Sequence, residues 1–169
     1  MKNFLFDIVV ELSKRGVDFV VCGGVACVLQ GCERTTFDVD LNLHMSPVNL
    51  KKAVEVFRAM KYSPRIPEPV EFLFDEDVRS KWVSEKDALV YTFVSGTGQV
   101  QVDVFLRYPV GYDDLKKNAD VFSIDGHDIM VSSKKDLIAA KESVHPLRDK
   151  DIYDISELRK LEAADEKRK

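Results

Sequence analysis

VVCGGVACVLQGCERTTFDVDLNL, residues 20–43, decides the reading of this chain. Its apolar start reads as a strand, Gly23-Gly24 as the passage into a short helix over Val25 to Gln30, and Gly31 as the end of that helix. A polar connection holding Arg34, Thr35 and Thr36 leads to a second strand that carries Asp38 and Asp40. Glycines let a backbone come close to a ligand, and a helix N-terminus offers unpaired N–H groups, which together suit phosphate. Side chains at i and i+2 of a strand share one face, so Asp38 and Asp40 can hold one hard cation while Val39 turns inward. Carboxylate oxygens completed by water and substrate phosphates are the usual surroundings of Mg²⁺. Each feature alone has an ordinary reading: a tight turn for the glycines, a solvated strand edge for the aspartates.

On the N-terminal side, residues 3–15 have helical periodicity. Asn3 is a candidate cap, Phe4, Leu5, Ile8, Val9 and Leu12 form one apolar face, and Gly16 is the stop. Val17 to Cys22 is a strand whose unbroken apolar run calls for cover on both faces. On the C-terminal side, Ser46-Pro47 starts a helix that ends near Lys61. Tyr62 to Pro69 holds three prolines and reads as a rigid extended connection. Glu71 to Lys86 fits short helices lying across a sheet.

A hairpin follows, with strands over Ala88 to Val94 and Gln99 to Leu106 and a turn at Ser95 to Gly98. On its return strand Val100, Val102 and Val104 face one way; Gln101, Asp103 and Phe105 face the other. A lone aspartate amid β-branched residues is unfavourable in a half-buried sheet unless something pairs with it. Beside the first two aspartates, Asp103 completes a three-carboxylate cluster; on an edge strand it would simply be solvated. Tyr108 to Asn118 is a loop and short helix. Val121 to Ile124 and His127 to Val131 flank a two-residue Asp125-Gly126 turn. A helix beginning at Ser132 or Ser133 carries Lys141, Pro146 breaks it, and Leu147 to Leu161 is a last helix with Ile152, Ile155, Leu158 and Leu161 inward. Residues 162–169 read as a charged, frayed tail.

The 169 residues suit a single domain over 1–169, in which strands are interspersed with helices. A net charge of −4 supplies no broad basic field for nucleic acid. Cys22, Cys27 and Cys32 lack metal-like spacing and read as buried apolar residues of a reducing, cytoplasmic protein. His44, His127 and His145 show no ligand spacing. No apolar run is long enough for a membrane span. Scarce Gln and Asn with 32% charged residues lean toward a thermophilic source.

The order of Gly23-Gly24, thirteen residues, then Asp38-Val39-Asp40-Leu41 resembles the first motif of the polymerase-β-type nucleotidyltransferase superfamily. The segment from Asp136 to Lys141, followed by Arg148-Asp149-Lys150-Asp151 and Asp154, is similar to the C-terminal pattern of small bacterial and archaeal nucleotidyltransferase-like proteins, including toxin-type AbiEii relatives. The resemblance implies the nucleotidyltransferase core fold, an α+β (two-layer α/β) arrangement of one mixed sheet with helices packed on it, and an Mg²⁺-dependent transfer of NMP from a nucleoside triphosphate to a hydroxyl acceptor. It implies that Asp38, Asp40 and Asp103 bind two Mg²⁺ ions, with Asp103 as general base, and that Gly23, Gly24, Arg34 and Lys141 meet the phosphates. Two other readings stand beside these roles: Arg34 can pin its loop by pairing with an aspartate, and Lys141, Arg148 and Asp151 can form ordinary ion pairs. The acceptor is left open among small molecules, protein hydroxyls and RNA ends. The acidic chain disfavours long RNA, and a protein partner fits the toxin-type relatives. The alternative is a non-catalytic nucleotide- or partner-binding module on the same scaffold.

Overall fold

Helices and strands are interspersed along the chain, whose computed structural model describes residues 4–169. The helices are α1 (Phe4–Lys14), α2 (Gly23–Leu29), α3 (Pro47–Ala59), α4 (Glu76–Lys86), α5 (Tyr112–Asn118), α6 (Lys134–Glu142) and α7 (Asp149–Lys167). The strands are β1 (Phe19–Cys22), β2 (Asp38–Leu43), β3 (Tyr62–Pro64), β4 (Val90–Ser95), β5 (Gln101–Phe105), β6 (Asp120–Ile124) and β7 (His127–Val131). The Asn3 cap lies outside the described residues.

All seven of these strands form one mixed sheet in the order β3-β4-β5-β2-β1-β7-β6. β2 is its middle strand, antiparallel to β1 and parallel to β5. The expected α+β architecture, a mixed sheet with helices packed on it, is therefore the one observed.

Strand alternation divides the sheet into two unlike faces. Val21, Val39, Leu41, Leu43, Val102 and Val104 point into the main core, which α1, α2, α3, α6 and α7 cover. Val20 and Cys22 point the other way, into a small cluster with Leu115, Phe105, Tyr108 and Met130. β1 is buried along its whole length, as its continuous apolar sequence requires. The second face is only partly roofed, by α5 and the loop before it, and Asp40 and Asp103 emerge beside this roof.

Several local expectations are met by visible devices. The Ser46 hydroxyl accepts from the Asn49 N–H and Pro47 occupies the first turn of α3. Asp125 and Gly126 both have positive φ, 50° and 77°, as the tight β6–β7 turn demands. Cys22, Cys27 and Cys32 are free and buried, and burial pushes all three thiols up, Cys27 to about 12. No described helix is long and apolar enough to cross a membrane.

Four expectations are corrected. The glycine pair does not precede the helix; it is the first turn of α2. The start of the proline-rich connection is an edge strand, β3, pairing with β4 at Pro64↔Phe93, because proline's missing N–H is harmless at an edge. The charged tail continues α7 to Lys167, since its Glu, Ala and Lys residues are good helix formers and Lys134 pairs with Asp165 at 2.9 Å. Ile152 is 53% exposed; Asp151 and Asp154 turn inward with Ile155 and Leu158 instead.

Candidate active site

Asp40 owes its position to two strand pairings. In register, Asp40 faces Cys22 on β1 and Asp103 on β5. Asp38 lies opposite Gln101, one step nearer the start of both strands. Val39 between the two aspartates is fully buried on the far face, so Asp38, Asp40 and Asp103 share the partly roofed face. The late hairpin therefore returns its acid next to the early pair.

The glycines make room for Asp40. Gly23 has φ +59°, and a Cβ built there would stand 1.9 Å from Asp40 Oδ2. A Cβ on Gly24 would stand 2.6 Å from Thr36 Oγ1 and 3.2 Å from a terminal nitrogen of Arg34. A larger residue at Gly23 would displace the Asp40 carboxylate, and one at Gly24 the Thr36 side chain. The Gly24 N–H, in the first turn of α2, favours the charged form of this carboxylate.

Burial and the neighbouring Asp103 charge push the Asp40 carboxyl up from 3.8 to about 6, with Asp38 adding to the repulsion. The Gly24 N–H and the Lys141 ammonium work against that rise without cancelling it. A carboxylate so placed gains from a cation between itself and Asp103. Oxygen-only donors of this kind fit Mg²⁺, which commonly takes one or two protein carboxylates and completes its shell with water and substrate phosphates. Asp38 is exposed at the rim of the pair. Among the described residues, no group of three or more His, Cys, Asp or Glu side chains is arranged to hold a metal ion.

Asp103 is held by side chains that the sequence did not flag. The Thr92 hydroxyl donates to Oδ1 at 2.5 Å. The Gln101 amide donates to Oδ1 at 3.1 Å and to Oδ2 at 3.0 Å, and its own oxygen accepts from Arg65. Gln101 could have been found, since it sits two residues before Asp103 on the same face. Thr92 required the hairpin register, in which Thr92 lies opposite Asp103. Arg65, inside the proline run, gave no signal.

The basic residues gather at the glycine end. Arg34 pairs with Asp154 of α7, not with Asp38 or Asp40. Lys141 of α6 lies 2.8 Å from Asp154 and 3.6 Å from Asp151. Arg148 grips Asp151 through two bonds of 2.6 and 3.1 Å. Both aspartate side chains are only 1% exposed, so three cations surround two buried anions and one positive charge is left over. Burial pushes the Asp151 carboxyl up, but the Arg148 bond and the charges of Arg148 and Lys141 outweigh it and hold the group below the ordinary range. Asp154 Oδ1 is buried with no hydrogen-bond partner among the described residues.

Next to the carboxylates on the same face, a groove of about 510 Å³ opens between the ends of β2 and β5 and the start of α5. Asn42 and Phe105, the next side chains on this face after Asp40 and Asp103, line it together with His44, Tyr108, Tyr112 and Asp113. Phe105 and Tyr108 rings pack 4.7 Å apart, and His44 meets Tyr112 edge-on at 5.4 Å.

The fold of this chain also occurs in solved structures. The lincosamide antibiotic adenylyltransferase LnuA, with lincomycin bound, superposes with a TM-score of 0.62 at 15% identity, over 93% of this chain and 95% of that one. The fold is that of the nucleotidyltransferases. ANT(2'')-Ia in complex with adenylyl-2''-tobramycin matches with a TM-score of 0.54 at 13% identity, over 97% and 95% of the two chains. A nucleotidyltransferase-like protein from Paracoccidioides brasiliensis gives 0.54 at 19% identity, over 91% and 74%. No family model matches the chain, and no curated protein matches its sequence. The similarity to nucleotidyltransferases thus lies in the fold, and nothing in these neighbours singles out the AbiEii branch.

Proposed function

We propose that this protein is an Mg²⁺-dependent nucleotidyltransferase that moves NMP from a nucleoside triphosphate to a hydroxyl acceptor, releasing pyrophosphate. The observation that carries the reading is the facing of Asp40 and Asp103 on adjacent strands, with the α2 glycine pair against Asp40. Asp40 and Asp103 would hold the cation, with Asp38 at the rim joining when substrate oxygens complete the shell. A divalent ion there supplies charge stabilisation at the α-phosphorus and the leaving group. Asp103 receives the acceptor proton. Gly23 and Gly24 would meet phosphate oxygens through the backbone N–H groups of the first turn of α2, and Arg34 and Lys141 present positive charge at the same end.

The groove beyond Asn42 and Phe105 is the acceptor side. It has aromatic walls and an acidic rim, and its volume is within the range of small-molecule sites. This favours a small hydroxylated acceptor over a long polyanion, and the two antibiotic-modifying neighbours carry acceptors of that kind in their names. A second reading has its own observation: among the described residues no three carboxylates are assembled to hold a metal, which suits a non-catalytic nucleotide-binding module. Calorimetry with ATP, GTP, CTP and UTP, with and without Mg²⁺, separates the two. Metal-dependent binding that disappears in Asp40→Ala supports the transferase. Metal-independent binding supports the module, and no binding removes both.

A further inference from the structure

We propose that Arg65 is a positioning residue that fixes the rotation of the Asp103 carboxylate through the Gln101 side-chain amide. The inference rests on the reading that Asp40 and Asp103 together hold a cation. An amide placed between a guanidinium and a carboxylate has one acceptable orientation. Its oxygen must accept from Arg65 and its NH₂ must donate to Asp103, as observed. The flipped amide would set donor against donor and oxygen against oxygen. Arg65 therefore selects the Gln101 orientation, and Gln101 transmits it.

The consequence falls on one atom. A carboxylate offers about two acceptor directions per oxygen. Oδ1 receives both Thr92 and Gln101, while Oδ2 receives Gln101 alone. Oδ2 keeps an acceptor direction free and is the oxygen available to a cation. Partners of this kind behind a ligating carboxylate orient it, and their loss typically weakens metal binding by 10–100-fold.

Arg65 is suited to the role because its backbone is rigid. Its N–H donates to the Thr92 carbonyl at 2.9 Å, extending the β3–β4 pairing by one residue. Pro64 precedes it and Pro67 follows closely, which limits the conformations this edge can adopt. Its guanidinium is in no ion pair with a described carboxylate, so a competing role is direct contact with substrate phosphates.

The two roles differ in coupling. Calorimetry would compare wild type, Arg65→Ala, Gln101→Ala and the double variant, each with whichever of ATP, GTP, CTP or UTP binds, with and without Mg²⁺. A relay predicts that each single change weakens the Mg²⁺-dependent affinity by about tenfold and the double change by no more than that. Metal-free nucleotide affinity stays at the wild-type level. Losses that multiply to about a hundredfold in the double variant, or a fall in metal-free affinity with Arg65→Ala, overturn the relay and assign Arg65 to the phosphates. If wild type shows no metal-dependent binding, the transferase reading fails separately and the relay is judged by thermal unfolding of the same four proteins. There, a double variant no less stable than the weaker single supports it, and fully additive losses overturn it.

Discussion

At Gly23 two independent constraints meet: a φ of +59° and a space already filled by Asp40 Oδ2, 1.9 Å from where a Cβ would stand. Alanine would strain the backbone and push the carboxylate off its strand position, so Gly23→Ala is expected to cost upwards of about 2 kcal/mol, measured by urea unfolding. Asp40 itself titrates high, at about 6 against 3.8. A carboxyl raised in the folded state binds its proton more tightly there than in the unfolded chain. Its favourable contribution is therefore complete below about pH 4 and is lost as pH rises through about 6. The shift corresponds to about 3 kcal/mol. Asp40→Asn should remove this slope, so that the variant gains on wild type as pH climbs from 4 to 7. A difference that stays flat over that range would show that Asp103 and burial do not disfavour the charge.

Among the elements, α7 shows most clearly what sequence periodicity can and cannot reveal. Its buried positions 151, 154, 155 and 158 keep helical spacing, but two of them are aspartates, so an inward face chosen by hydrophobicity lands on Ile152 instead. Partners that make the burial tolerable come from elsewhere: Arg34 before β2, Lys141 on α6 and Arg148 at the helix start. The central stretch was legible because its signals are local: alternation fixes which way Asp38, Asp40 and Asp103 point, and turn residues fix the hairpins. The Asp103 supports Thr92 and Arg65 were not, because each depends on a register or an edge pairing across chain separations that no local pattern records. β3 was hidden for the related reason that proline argues against a strand everywhere except at an edge. Because Asp154 is the shared anion of Arg34 and Lys141, Asp154→Ala should cost about 3–5 kcal/mol by leaving buried cations without it. Adding Lys141→Met should recover part of that loss in the same urea titration, since removing both partners is less damaging than removing one.

For the molecule as a whole, the carboxylate pair, the glycine turn and the buried ion cluster converge on one end of β2, and the pair and the cluster each hold like or surplus charge in place. Asp40 and Asp103 repel one another, while Arg34, Lys141 and Arg148 exceed their two aspartates by one. On the proposed reading a metal-bound polyphosphate would answer both imbalances, with its cation among the acids and its anion among the bases. Ligand binding to the native state alone stabilises by about 2.7 kcal/mol at a hundred times Kd. For a chain of this size that raises Tm by about 5–10 °C. We expect this rise with Mg²⁺ and nucleotide together, and little with either alone. Because protons would compete with a cation held at Asp40, whose carboxyl titrates at about 6, the rise should shrink between pH 7.5 and pH 5 at fixed ligand concentrations. Asp40→Asn should show no comparable pH-dependent rise, having no carboxylate there to lose. Equal shifts at both pH values in wild type would place the cation somewhere other than on the Asp40–Asp103 pair.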